Sequence, residues 1–332
     1  MKTLARSTAL LLIPILAVSA LAACSTGAGD DSSANAEGAW SYTDDTGRTV
    51  TLDEQPERIA AYSDYAVGLL STGIDPVALF GRFDVDTDAR FDDYDISETP
   101  IVGNSYGEID LEALAETAPE LIVVGIYPID REGTLDTEGA YYGVADVEQQ
   151  EQLEKIAPVV AIKVGGKGID VVESMTNLAL ALGASEKLVE EGKAEYEIAA
   201  ADLTAAAEES GVEVTYLYAD PDGVYVTKTL DEPETELYSE LGVNFTSLKT
   251  DGDFYWDIYS WENAEQMMTG DVLLVNNEGF QKDDLLDQPT FASHPALVAG
   301  QIHTWNSAAL DYASQAVHMG QLAKILRESK QL

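Results

Sequence analysis

The feature that most constrains this chain is a stretch without a strand. From Val171 to Leu182, and again from Ser185 to Glu209, Ala, Glu and Leu recur at helical spacing, and no continuous apolar run of strand length separates the two. On either side the pattern changes. Arg58-Ile59-Ala60-Ala61 reads as a short strand leading through Tyr62-Ser63-Asp64 into a helix that reaches Leu70, with further strands at Val77 to Phe80 and at Ile101-Val102. Asp110 then caps a helix with Leu111, Leu114, Ala115 and Ala118 on one face, and Pro119 ends it. LIVVG at Leu121 to Gly125 is a buried strand by its unbroken apolar run; a helix over Gln149 to Ala157 and a strand at Val159 to Ile162 follow. After Gly211 the alternation resumes with VTYLY (Val214 to Tyr218), helices near Glu234 to Leu241 and from Ser260, VLLV (Val272 to Val275) and a last helix from about Asp311 to Glu328.

Strand–helix alternation builds α/β layers. The expected architecture is therefore two α/β, Rossmann-like lobes joined by a long rigid helix, with a cleft between them. The lobes are placed at residues 40–167 and 211–310, the helical connector at 168–210, and a C-terminal helix at 311–332 packing back on the lobes. An internal echo supports related lobes. Asp110-Leu111-Glu112 opens a helix that leads into LIVVG, and Ser260-Trp261-Glu262 opens one that leads into VLLV.

The beginning of the chain has a different character. Lys2 and Arg6 precede an apolar run from Ala9 to Ala23, broken by Pro14 and followed by the only cysteine, Cys24. A basic start, an apolar segment and a small-residue cleavage site describe a secretion signal over residues 1–23. One cysteine excludes a disulfide within the chain. The polar, small residues of 24–39 read as a flexible tether.

Charge excludes several partners. The chain has 18 Lys+Arg against 60 Asp+Glu, a formal −42. Removal of residues 1–23 takes Lys2 and Arg6 and no acid, leaving a formal −44. Nucleic acid and anionic lipid surfaces are repelled by such a field.

TGRTVTLDEQPERIAAYS, GIDPVALFG and VGNSYGEIDLEALAETAPELIVVG, together with the cysteine after the signal, resemble a substrate-binding lipoprotein of an ABC importer. The likeness runs from about Gly47 to Leu326 and is greatest to the branch that captures ferric siderophores, with relatives for cobalamin, haem and metal ions. The resemblance implies a membrane-anchored, extracytoplasmic protein lipidated on Cys24, a monomer that carries no cofactor of its own and partners an ABC permease. It implies ligand groups on loops that follow the strands. Tyr127 stands where ferric hydroxamate-binding members place a tyrosine, and Trp256 and Trp305 where they place tryptophans. Those members carry an arginine in the loop matching VGNSYG; this chain has Asn104, Ser105 and Tyr106 there, and Arg82 in the neighbouring loop is the candidate substitute. Tyr62, Tyr106 and Tyr225 complete the expected ligand set, with packing as the alternative for each aromatic. Tyr216 and Tyr259 are expected to pack. Glu112 and Glu262 match the surface glutamates that dock into permease pockets; an acid in a first helical turn also gains about 0.3–1 kcal/mol from the helix dipole. The expected ligand is a neutral or cationic ferric trihydroxamate, with haem, cobalamin or another iron chelate as alternatives.

Two motifs point elsewhere. Gly103-Asn104-Ser105-Tyr106-Gly107 spells G-x-S-x-G, the nucleophile elbow of a serine esterase, but the elbow needs a strand before it and a helix directly after it. Here the helix waits until Asp110. Asp84, Asp86, Asp88, Asp92 and Asp95 have the spacing of a calcium loop, yet Ala89 replaces the turn glycine and Asp95 the long bidentate Glu; an acidic surface loop is expected. His294, His303 and His318 all lie near the C-terminus, an arrangement that disfavours a zinc or manganese site drawn from both lobes. No protein metal ligand and no catalytic residue is expected.

Overall fold

The computed structural model describes residues 39–247, 251–267, 269–306 and 309–332. The expected signal peptide, Cys24 and the tether up to residue 38 lie outside the described residues.

A hairpin of β1 (Trp40–Thr43) and β2 (Thr49–Leu52) precedes the first sheet. That sheet contains β3 (Ile59–Tyr62), β4 (Ala78–Phe80), β5 (Ile101–Gly103), β6 (Leu121–Ile126) and β7 (Val159–Lys163), in the order β5-β4-β3-β6-β7. Every pairing is parallel. Helices α1 (Ser63–Ser71), α2 (Leu111–Glu116) and α3 (Val147–Ile156) make three of the four crossovers, and short 3-10 turns at Val85–Thr87 and Ala89–Phe91 lie on the link from β4 to β5. β3 and β6 are buried along their whole length, as strands covered on both faces must be. Asp110 caps α2 by accepting from the backbone N–H of Glu112 and Ala113.

The strandless middle is α4 (Gly168–Ala181) followed by α5 (Glu186–Ser210), which Ser185 caps and Gly211 ends in the left-handed conformation. α4 packs on α1 and β7 through Val171, Met175 and Leu178, and its N-terminus abuts α6 (Pro233–Glu240) of the second lobe. A Cβ added at Gly168 would meet the Pro233 carbonyl oxygen at 2.1 Å, so the two helices touch backbone to backbone.

The second sheet is mixed. β8 (Glu213–Asp220) pairs antiparallel with β9 (Gly223–Thr227) and parallel with the short β10 (Asn244–Phe245). β11 (Trp256–Ser260) forms the edge beside β9, and β12 (Val272–Asn276) and β13 (Ile302–Trp305) complete the sheet in parallel with β8. Two short helices, α7 (Lys282–Leu286) and α8 (Pro295–Ala299), join β12 to β13. The last helix, α9 (Tyr312–Glu328), lies along α5 and also meets α1. Alternate residues of β8 serve two cores: Val214 and Tyr216 face α5 and α9, whereas Leu217 and Ala219 join Val224, Leu273 and Phe291 on the other side.

Three expectations change. Trp256 and Tyr225, expected on loops, lie on strands, Trp256 opening the edge strand β11 and Tyr225 inside β9, and the helix expected from Ser260 is a 3-10 helix that begins at Trp261 and runs to Met267. Its first residue is pinned, because Trp261 stacks on Phe280 and donates from Nε1 to the Asp220 carbonyl at 2.9 Å. Third, the Asp84–Asp95 loop is not wholly a surface feature: Asp88 is buried and holds Arg90.

Candidate ligand cleft

In a parallel sheet whose strand order reverses, the loops at the carboxyl ends of the central strands diverge and leave a crevice. The first sheet reverses between β3 and β6, and that is where the large cavity opens. Its volume is about 660 Å³, within the range of small-molecule sites. The first lobe lines it from just beyond its strands: Asp64 after β3, Arg82 after β4, Tyr127 after β6. The second lobe contributes Tyr218 and Asp220 from the end of β8, and Asn276 and Glu278 from the end of β12.

Its charges form an alternating chain. Arg90 is nearly buried and grips Asp88 through Nε and Nη2, at 2.6 to 3.0 Å, and Asp64 through Nη1 at 2.7 Å. Asp64 also pairs with Arg82. Arg82 then reaches across the cleft to Glu278, with Nε at 3.0 and 3.2 Å from the two carboxylate oxygens and Nη2 at 2.6 Å from Oε1. Burial opposes ionisation of Asp64, but the two guanidinium groups outweigh it and hold its carboxyl below the usual range. The Phe83 ring lies 5.0 Å from Arg82 and 5.3 Å from Arg90. Among the lining residues, six acids (Asp64, Asp220, Glu232, Glu234, Glu278 and Asp311) face only these two arginines.

Aromatic rings make up much of the walls. On the first lobe Tyr142 is a hub, 4.6 Å from Tyr127, 5.4 Å from Tyr106 and 5.8 Å from Tyr62, ring centre to ring centre. Burial raises the phenol pKa of Tyr142 to about 12 and that of Tyr127 well above its ordinary value, so both hydroxyls remain protonated donors. On the second lobe Tyr218 and Tyr225 are cross-strand partners on β8 and β9, 5.6 Å apart, and Trp256 stands edge-on to Tyr225 at 6.3 Å.

The Phe254-Tyr255-Trp256 segment is held by a polar cage. Buried Lys228 donates from Nζ to the carbonyls of Asp251 and Asp253, both at 2.5 Å, and lies 3.2 Å from Asp257. Asp231 accepts from the Tyr255 backbone N–H at 3.0 Å. From the opposite lobe, Arg131 binds the Asp231 carboxylate at 2.7 to 3.0 Å and donates to the carbonyls of Gly252 and Asp253 at 2.9 and 2.6 Å. Tyr255 has φ of 74°, a strained position for a residue with a large side chain. The cage offsets that strain and turns the ring into the cleft.

Of the ligand residues expected from sequence, Tyr127, Arg82, Tyr225 and Trp256 line the cavity. Tyr106 is exposed and touches the wall through Tyr142. Tyr62 and Trp305 are not on the lining. Tyr62 is fully buried beneath Gly143, where a Cβ would sit 2.1 Å from its ring. Trp305 packs in the second-lobe core, against His318, and donates from Nε1 to Glu234 at 3.3 Å; it touches a lining acid from behind. Tyr216, expected only to pack, does so and also reaches the cavity. Arg90, Glu232, Glu234 and Glu278 were not singled out from the sequence. Nothing local marks an acid as cleft-facing in so acidic a chain. Ser105 lies on an exposed turn, its carbonyl accepting from Glu108, and α2 begins only at Leu111, so the elbow geometry is absent. Glu112 and Glu262 are both exposed in the first turns of their helices.

The periplasmic binding protein family matches residues 59–309, most of the chain. The chain belongs to that family. Proteins of this family bind solutes and carry no cofactor, and the competing esterase reading is set aside. Among solved structures, this binding protein is similar to DesE, a ferric-siderophore receptor protein from Streptomyces coelicolor, with 30% identity over 88% of this chain and 99% of that one and a TM-score of 0.76. It is also similar to the siderophore periplasmic binding protein from the fuscachelin gene cluster of Thermobifida fusca, with 25% identity over 82% and 97% of the two chains and a TM-score of 0.62. FeuA from Bacillus subtilis, a triscatecholate siderophore binding protein, shares the fold at 15% identity, covering 87% and 99%, with a TM-score of 0.65. No curated protein matches the chain in sequence. Among the described residues no helix is long and apolar enough to cross a membrane.

Proposed function

We propose that this binding protein captures a ferric siderophore of the neutral or cationic trihydroxamate kind outside the cytoplasm and hands it to an ABC permease. The observation that carries the reading is the cleft itself: aromatic walls on both lobes, with six acids facing two arginines that are both already paired. Aromatic faces cover a chelate's carbon frame while phenol and indole donors meet its oxygens. The siderophore keeps the iron wrapped, so the protein need supply no metal ligand. The likeness to a ferric-siderophore receptor at 30% identity supports the ligand class. Tyr127, Tyr225, Trp256 and Arg82 are the proposed contacts, with Tyr106 at the rim; Tyr62 and Trp305 support the wall from within. Glu112 and Glu262 are the proposed permease contacts, one on each lobe, with lobe limits at 40–167 and 211–310. Signal cleavage after residue 23 and lipidation of Cys24 anchor the monomer to the membrane.

Quenching of tryptophan emission tests the ligand, because Trp256 lies in the cleft whereas Trp261 and Trp305 pack elsewhere. A ferrioxamine-type trihydroxamate is expected to quench saturably, and a ferric triscatecholate, haem and cobalamin to do so weakly or not at all. Tight catecholate binding without a trihydroxamate response would overturn the assignment.

A further inference from the structure

Both cationic side chains that line the cleft are committed before any ligand arrives. Arg90 is consumed by Asp88 and Asp64. Arg82 is the one that reaches the open space, and three of its N–H groups are engaged: Nη1 by Asp64 from its own lobe, Nε and Nη2 by Glu278 from the other. The two acids differ in what they do. Asp64 is shared between two arginines and completes a buried, nearly neutral cluster with Asp88. Glu278 adds a negative charge at the cavity wall, on the short run between β12 and Gly279, where its side chain is partly exposed. Its backbone N–H is tied to the Asn276 side chain at 2.8 Å, which fixes the turn that aims it at Arg82.

We propose that Glu278 is a specificity-determining residue that rejects anionic iron chelates. It occupies the guanidinium edge that an anionic chelate oxygen would need, and it presents its own charge to anything entering. Removing one wall charge changes the energy of an anionic ligand in proportion to its charge and leaves that of a neutral one with no charge–charge change at all. The same change replaces the ion pair at Arg82 with a weaker neutral amide contact, so an anionic chelate oxygen can compete for its donors in charge-assisted hydrogen bonds. The inference rests on the cleft being the ligand site, as proposed above, and assigns the choice among chelates to one side chain.

The test compares wild type, Glu278→Gln and the double variant Arg82→Gln/Glu278→Gln, each checked for an intact thermal transition. Tryptophan quenching is measured with a ferrioxamine-type trihydroxamate and with a ferric triscatecholate. The readout is the ratio of the two dissociation constants. In Glu278→Gln that ratio should move toward the triscatecholate by about tenfold or more, an interaction change of about 1.4 kcal/mol, and most at low ionic strength, where wall charges are least screened. The double variant should lose the gain. A Glu278→Gln protein that binds the trihydroxamate with an unchanged ratio overturns this inference and leaves the capture reading standing. A weakening of both chelates alike also overturns it, since Glu278 would then only tie the lobes together. A wild type that answers to neither chelate overturns the capture reading and this one with it.

Discussion

Glu232 and Asp64 both line the cleft, and burial acts on both, with opposite outcomes. Glu232 caps α6 by accepting from the backbone N–H of Glu234 and Thr235. Burial, reinforced by the neighbouring Glu234, raises its pKa from an ordinary 4.5 to about 7. The folded state therefore binds this proton more tightly than the unfolded chain. That contribution to stability is fully present below about pH 4.5 and is lost as pH rises through about 7. Glu232→Gln keeps a cap acceptor and should flatten this stretch of the stability curve, read as urea midpoints between pH 4 and pH 8; a slope equal to that of wild type would contradict the assignment. Asp64 has the opposite sign. Its lowered pKa contributes stability above the ordinary 3.8 that is lost as pH falls through the lower, folded value. Asp64→Asn leaves two buried guanidinium groups short of a partner and should cost about 3 kcal/mol or more in denaturant unfolding. Trp256→Phe should remove most of the ligand-dependent quenching, and Trp261→Phe should leave it.

At the scale of elements, the long helices were legible, whereas the five-residue helices α7 and α8 and the strands β9, β10, β11 and β13 of the second sheet were not. Asp110, Ser185 and Asp311 carry cap chemistry that depends only on neighbours in sequence, and each caps the helix expected of it. β11 has no such signature. An edge strand is paired on one side and half exposed on both faces, so Trp256 to Ser260 lacks both a continuous apolar run and a clean alternation. Its position is decided by pairing with β9, and the preceding turn by Lys228, Asp231 and Arg131, the last 100 residues from Asp231 along the chain. Arg131→Gln should therefore loosen residues 251–257, seen as faster amide exchange confined to that segment, with weaker trihydroxamate binding. Unchanged exchange there would mean the cage on its own lobe suffices. α4 and α6 give a second measure. Gly168→Ala forces a Cβ onto the Pro233 carbonyl and should lower the thermal midpoint by several degrees, since overpacking costs roughly 1–3 kcal/mol.

For the whole molecule, the connector and the two exposed glutamates matter most. α4 is packed against α1 on one lobe and α6 on the other, and α9 lies along α5 and against α1. Lobes bridged by three packed helices have little freedom to swing, so small-angle scattering with and without ligand should give nearly superimposable curves. Charge reversal at Glu112 and Glu262 should leave chelate quenching as in wild type while abolishing uptake through the permease; retained uptake in the double variant Glu112→Arg/Glu262→Arg would place docking elsewhere.

By itself the sequence determined the family of folds, because strand–helix alternation broken by a strandless middle admits few arrangements, and because strand periods and caps are local properties of the chain. It also pointed to Tyr127, Arg82, Tyr225 and Trp256 as cleft-facing, although Tyr225 and Trp256 proved to lie on strands β9 and β11 where loops were expected. Only the tertiary structure decided which rings face it. Tyr62 ends β3 and Tyr127 directly follows β6, yet one is sealed under Gly143 and the other lines the wall. The electrostatics of the site were equally beyond the sequence. In a chain with 60 acids, those that line the cleft are set by partners distant in sequence, such as Arg82 and Glu278, 196 residues apart, because only the folded chain decides which opposite charges meet.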